Sequence, residues 1–181
     1  MQSPGQTLTF GHMIADPRTS VAFSGHRTYC GDAADALHRT VGELYARGFR
    51  PFLSGMAVGF DRAAAEAGLE LRQRMPDVRL IAAVPFQGQE ARFSQSDRER
   101  FSRVLSAADV VEVLSPVYHR GCYAVRNDFL VDHARVLVAW YDGSPGGTHY
   151  TVRRAMRRGL EILDLHPAAS ALPAFAPTLF G

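Results

Sequence analysis

The sequence predicts an α/β protein: a single domain built on a doubly wound, mostly parallel sheet. Three observations carry that prediction. Short apolar runs alternate strictly with longer amphipathic runs between about residues 20 and 165, which is the signature of βαβ crossovers. Several of those short runs are apolar almost throughout, as suits strands covered by helices on both faces. The segments that follow them are rich in Gly, Ser, Thr, Asp and Arg, where an open parallel sheet keeps its ligand crevice.

The elements follow in order. Residues 20–24 (SVAFS) read as the first strand. Residues 32–47 read as a helix, with Ala36, Leu37, Val41, Leu44 and Tyr45 on one face, Asp32 as its cap and Gly48 at its end. The second strand is residues 51–54 (PFLS). The helix after it spans 61–75, carries Ala64, Ala65, Ala67, Gly68 and Leu71 inward, and stops at Pro76. Residues 78–84 (VRLIAAV) form the third strand, and 94–107 a helix burying Phe101, Val104 and Leu105. Strands at 109–114 (DVVEVL), 135–141 (RVLVAWY) and 161–165 (EILDL) alternate with helices at 123–134 and 148–158. Residues 1–18 are expected to be a poorly ordered lead-in, 19–166 the folded domain, and 167–181 a Pro-rich tail.

Composition narrows the function classes. The chain has 181 residues, 46% of them hydrophobic and 21% charged, enough to bury a core of its own and too ordered for low-complexity disorder. The formal net charge of +2 is too small to announce a nucleic-acid or membrane partner through bulk electrostatics. Arginine dominates the basic residues, and its planar fork suits bidentate grip on phosphate or carboxylate. Cys30 and Cys122 lie far apart, without a CxxC or His at metal spacing. A disulfide framework and a metal site are therefore not expected, and a reducing cytoplasm is. No apolar run is long enough to span a membrane.

Three loops carry candidate chemistry. After the first strand comes Ser24-Gly25-His26-Arg27, in which Gly25 permits a close backbone approach and Arg27 can neutralise an anion. An ordinary strand-to-helix turn with an exposed Arg is the equal alternative. After the second strand, Ser54-Gly55-Met56-Ala57-Val58-Gly59-Phe60-Asp61 runs straight into a helix. Its glycines can turn N–H groups inward at a helix start, and Asp61 can either cap that helix or accept from a ribose hydroxyl. After the fifth strand, Asp142-Gly143-Ser144-Pro145-Gly146-Gly147-Thr148 offers two backbone donors and a hydroxyl for a phosphate. The competing reading is a Gly-Pro loop with Thr148 as N-cap. Arg126 and Asn127 lie on the helix ahead of the fifth strand, either gripping the ligand or on a solvated face. Phe86, after the third strand, either walls a base or packs at the rim.

Together, Ser24-Gly-His-Arg27, the Ser54–Asp61 segment, Arg126-Asn127 and Asp142-Gly…Gly146-Gly-Thr148 resemble the SLOG superfamily, and most closely its YpsA-like branch. The stretch SGMAVGFDRAAAEAGL is also similar to the SG-x-A-x-G-x-D-x-x-A-H loop of the DNA-processing protein A family, with Glu66 near the place of that family's His. The likeness covers about residues 20–165. It implies a Rossmann-like fold binding a nucleotide or a nucleotide-derived ligand such as ADP-ribose or NAD, in bacterial signalling, defence or stress. Lonely Guy phosphoribohydrolases carry PGG-x-GT-x-x-E; here Gly146-Gly-Thr148 runs into His149-Tyr-Thr-Val152, with no Glu at that place.

The expected role is thus a nucleotide-binding sensor or signalling module. Ser24, Gly25, Arg27, Ser54, Gly55, Gly59, Asp61, Arg126, Asn127, Asp142, Gly146, Gly147 and Thr148 are its expected ligand-binding residues. The alternatives are a nucleotide-processing hydrolase, with Asp61, Asp142, His26 and His149 as acid–base candidates, and a single-stranded nucleic-acid or protein adaptor using Arg153, Arg154, Arg157 and Arg158. No cofactor is called for apart from the nucleotide-like ligand, and a homodimer is left open.

Overall fold

The computed structural model describes residues 14–171. Six strands and five α-helices alternate among them: β1 (Val21–Gly25), α1 (Ala34–Ala46), β2 (Pro51–Ser54), α2 (Phe60–Arg74), β3 (Arg79–Val84), α3 (Gln95–Ala107), β4 (Val110–Val113), α4 (Cys122–Asp132), β5 (Val136–Trp140), α5 (Gly147–Arg157) and β6 (Glu161–Asp164). Every strand pair is parallel, and the order across the sheet is β4-β3-β2-β1-β5-β6. The expected doubly wound α/β sheet is the observed one, with each strand within a residue or so of its expected place.

Side-chain alternation along the strands builds two cores. Val21, Phe23, Phe52, Val136 and Val138 point to the side of α1 and α2, where they meet Leu37, Val41, Leu44, Phe60 and Leu71. The rings of Phe23 and Phe52 lie stacked there, 5.8 Å apart. Leu80, Ala82 and Val84 continue that side under Phe101 and Val104 of α3. Ala22, Leu53, Ile81, Leu137 and Ala139 point the other way, onto Leu130 and Val131 of α4 and Val152 and Ala155 of α5. The chain steps outward from β1 to β4 under one helical layer, then returns through α4 to β5 under the other. The strand order reverses between β1 and β5, and that is where a doubly wound sheet opens a crevice.

Some helix starts depart from expectation. The residue capping α1 is Ala33, without a side-chain hydrogen bond. Asp32 stays exposed one residue too early, because a 3.1 Å Ala34 N–H to Gly31 carbonyl bond turns the chain first. Neither Asp61 nor Thr148 caps its helix, since Gly59 and Gly146 take the cap positions of α2 and α5. At α3 the Ser94 hydroxyl does cap, accepting from the Asp97 N–H at 3.1 Å. Gly48 closes α1 as expected, with φ 98° and its N–H bonded to the Tyr45 carbonyl.

Ile14 and Ala15 pack against the α4–α5 core. Residues 17–19 and 167–171 form short 3-10 turns. The rest of the expected lead-in, residues 1–13, and of the expected tail, 172–181, lies outside the described residues.

Candidate functional site

At the β1–β5 reversal lies a cleft of about 520 Å³, walled by residues from four segments. Ser24, Gly25, His26, Arg27 and Thr28 come from the end of β1, and Ala57 and Asp61 from the approach to α2. Tyr123, Arg126 and Asn127 come from α4, and Asp142, Ser144, Gly147 and Thr148 from the loop into α5. The three loops that the sequence marks therefore converge on one rim.

Asp61 ties two of them together. It sits in the first turn of α2, buried, and its Oδ1 accepts the Gly25 N–H at 3.0 Å. Burial pushes its carboxyl up from the ordinary value, opposed by Arg126 and by the backbone N–H groups of Gly25 and Ala57. Arg126 is buried beside it, with Nη1 4.0 Å from Asp61 Oδ2. Arg126 also donates to the Gly55 carbonyl and, through Nε at 2.7 Å, to Asn127 Oδ1. Burial lowers the pKa of this guanidinium, and Asp61 counteracts that. Asn127 spends its amide on the Gly147 carbonyl at 3.4 Å, joining α4 to the start of α5. The Arg126–Asn127 pair is thus buried rather than on a solvated face.

Ser54, Gly55 and Gly59 stand behind the cleft wall instead of on it. The Ser54 hydroxyl donates to the Asp61 carbonyl at 2.8 Å and accepts from the Met56 N–H at 3.2 Å, which pins a loop where Met56 has φ 59°. A side chain at Gly55 would run into Arg126, coming within 2.8 Å of its Cδ. At Gly59, with φ 90°, a Cβ would lie 2.7 Å from the carbonyl oxygens of His26 and Arg27. These residues set the geometry that lets the β1 loop and α2 touch, the Phe60 N–H bonding the His26 carbonyl at 3.4 Å.

The other side of the cleft is more open. Arg27 is exposed, and among the described residues no carboxylate lies within ion-pair distance of it. Asp142 is exposed too. The Ser144 side chain and N–H, followed by His26 and His166, hold its carboxyl down to about 2. His26 Nε2 lies 2.8 Å from Asp142 Oδ1 but out of line for a hydrogen bond. Gly146 has φ 138° and caps α5 without any side chain, so the first N–H groups of that helix face outward near Thr148. His149 is turned away, its Nδ1 2.5 Å from the Tyr141 hydroxyl.

Sequence reasoning missed Tyr123, Thr28, Ala57 and Ser144. Tyr123 stands three residues before Arg126, hence on the same helix face, and that spacing was a usable signal. Glu66 is paired with Arg100 of α3 at 2.6 Å. No group of three or more His, Cys, Asp or Glu among the described residues is arranged to hold a metal ion. No helix among them is long and apolar enough to cross a membrane.

The family model described as the YspA SLOG family matches residues 22–162 of this chain. A UPF0398 protein of Bacillus cereus strain G9842 is 29% identical over 134 residues, 72% of this chain and 72% of the relative. Among solved structures, DNA processing protein A from Streptococcus pneumoniae has a TM-score of 0.58 at 19% identity over 79% of this chain, which spans 48% of that one. The Helicobacter pylori protein of the same name, described as having a unique single-stranded DNA binding mode, has a TM-score of 0.59 at 18% identity, covering 81% of this chain and 64% of that one. At these identities the likeness to solved structures is one of fold.

Proposed function

The chain belongs to the YspA SLOG family, and on that premise we propose that it binds a nucleotide or nucleotide-derived ligand of the ADP-ribose or NAD type, as a cytoplasmic sensor or signalling module. The observation that carries this reading is the cleft itself. It combines Arg27, a cation with no carboxylate within ion-pair distance among the described residues, a helix start with Gly147 and Thr148 on the wall behind the Gly146 cap, and carboxylates at Asp61 and Asp142, around one 520 Å³ space. In this arrangement the phosphate takes the N–H groups at the head of α5, with Arg27 offsetting its charge. Asp142, ionised across the physiological range because its carboxyl is held at about 2, accepts ribose hydroxyls. Asp61 and Arg126 hold the floor.

Thermal-shift and calorimetric titration with ADP-ribose, NAD, AMP and cyclic nucleotides test the reading. At least one should bind, and Arg27→Ala should weaken that binding about tenfold, as loss of a hydrogen bond to a charged group does. No shift with any of them at millimolar concentration rejects it.

A second reading is favoured by one feature, the raised carboxyl of Asp61 at the cleft floor. A carboxyl raised in this direction is moved toward the range in which it can donate a proton to a glycosidic or phosphate bond. NAD and nucleoside monophosphates incubated with the protein would then be turned over, and Asp61→Asn would abolish the turnover. The adaptor alternative loses ground, because Arg154 and Arg158 are engaged by Asp132 of α4, at 3.0 and 3.4 Å.

A further inference from the structure

We propose that three aromatic side chains beside the cleft, Phe86, Tyr118 and Tyr123, form a stacking seat for the base of the bound nucleotide. The proposal rests on the nucleotide reading above and adds the ligand's polarity: phosphate at the β1–β5 reversal, base toward β3 and β4.

The three rings come from separate segments. Phe86 follows β3, Tyr118 lies in the β4–α4 connection, and Tyr123 is in the first turn of α4. They meet edge to face, with centroid distances of 5.3 Å for Phe86–Tyr118, 5.9 Å for Phe86–Tyr123 and 6.4 Å for Tyr118–Tyr123. Each such contact uses the edge of one ring and a single face of the other, so ring faces remain for an incoming flat group. Tyr118 is 64% exposed and Tyr123 36%, next to an equally uncovered Val117. Aromatic surface of that kind, left open beside a polar cleft, marks a place of interaction.

Tyr123 belongs to both the cleft wall and the aromatic group, so the two surfaces are continuous. The guanidinium carbons of Arg27 and Arg126 each lie 5.9 Å from the centroid of its ring. The cations of the cleft therefore border the aromatic surface; in an ADP-ribose-type ligand the ribose next to the base spans that border, and the second ribose, beyond the phosphates, is the one that reaches Asp142. Among the described residues, the opposite end of the cleft has no comparable cluster of exposed rings. There Trp140 is buried and packs on His166 at 4.5 Å, and the Tyr141 hydroxyl is engaged by His149. Stacking reads the π-face that every base shares, so the seat favours large bases without selecting one by its edge.

The test compares AMP with ribose 5-phosphate, by calorimetry on the full chain. AMP should bind about tenfold more tightly. Tyr118→Ala should remove that advantage while leaving ribose 5-phosphate unchanged, and Tyr118→Phe should keep it. Tyr118 is mostly in solvent, so its truncation leaves the core intact. If AMP binds but no better than ribose 5-phosphate, or if Tyr118→Ala leaves the advantage in place, the seat is disproved and the nucleotide reading stands. Binding of oligo(dT) that Tyr118→Ala removes, with AMP unaffected, would overturn the seat in favour of a single-stranded nucleic acid. Failure of AMP and ribose 5-phosphate to bind would overturn the seat, and the reading beneath it falls only if ADP-ribose, NAD and the cyclic nucleotides fail as well.

Discussion

Arg126 and Asp61 face each other across the cleft floor at 4.0 Å, and both are almost fully withdrawn from water. Taking two such charges out of water costs several kcal/mol, which their attraction recovers only with further hydrogen bonds. Here those bonds are supplied by the Gly55 carbonyl and Asn127 on one side and by the Gly25 N–H on the other. Replacing Arg126 by Met strands the Gly55 carbonyl and Asn127 Oδ1 and leaves Asp61 as a buried carboxylate without its counter-charge. The expected loss at neutral pH is about 3 kcal/mol. Its pH dependence follows from the direction of the Asp61 shift, which is upward in the folded protein. A carboxyl raised on folding favours the folded state below its unfolded value, and that contribution is lost as pH rises through the folded one. Without Arg126 the upward shift grows. The penalty of Arg126→Met relative to the parent should therefore be smaller at pH 4.5 than at pH 8 in urea unfolding. An equal penalty at both would show that the two side chains do not interact.

At the scale of elements, the decisive junction is between the β1 loop and the head of α2. Gly59 has φ 90°, and its backbone passes so close to His26 and Arg27 that a Cβ would sit 2.7 Å from both carbonyl oxygens. Gly59→Ala thus combines backbone strain of about 1–3 kcal/mol with a clash that forces the two loops apart. A chain of this size should lose roughly 2–4 °C in melting temperature for each kcal/mol, and nucleotide affinity should fall because Arg27 moves with its loop. An alanine variant that melts like the parent would mean that the junction is loose. The same junction explains what could be read from the sequence and what could not. The strands were legible because runs such as VRLIAAV and RVLVAW are apolar almost throughout, as a strand covered on both faces must be. The α2 and α5 starts were placed to within a residue, but capping by Asp61 or Thr148, good capping residues by type, stayed open beside ligand binding. The actual cap positions fall to Gly59, whose backbone is pressed against His26 and Arg27 far earlier in the chain, and to Gly146. The burial of Arg126 and Asn127 was equally hidden: what encloses them is the Gly55 loop, 71 residues away. The aromatic group is legible only in three dimensions, since Phe86 and Tyr118 are 32 positions apart and meet because β3 and β4 are neighbours.

At the scale of the molecule, the strand order β4-β3-β2-β1-β5-β6 puts the cleft where the two helical layers part. Its walls come from the layer of α1 and α2 through Asp61 and from the layer of α4 and α5 through Arg126 and Thr148. A ligand seated there touches both layers and should restrain them together. Binding to the folded state alone stabilises it by about 2.7 kcal/mol at a ligand concentration one hundred times Kd. Amides that exchange through local opening of the cleft walls should slow by up to that amount. With saturating AMP, hydrogen exchange should therefore slow together in residues 25–28, 122–127 and 144–148. Helix α3 contributes nothing to the cleft, and the exchange that comes from its own fraying should be unchanged. Protection confined to residues 153–158 would point to the basic face of α5 and away from the cleft. Slowing on one layer only would mean that the ligand sits against a single wall, and the account of a shared seat at the strand reversal would fail.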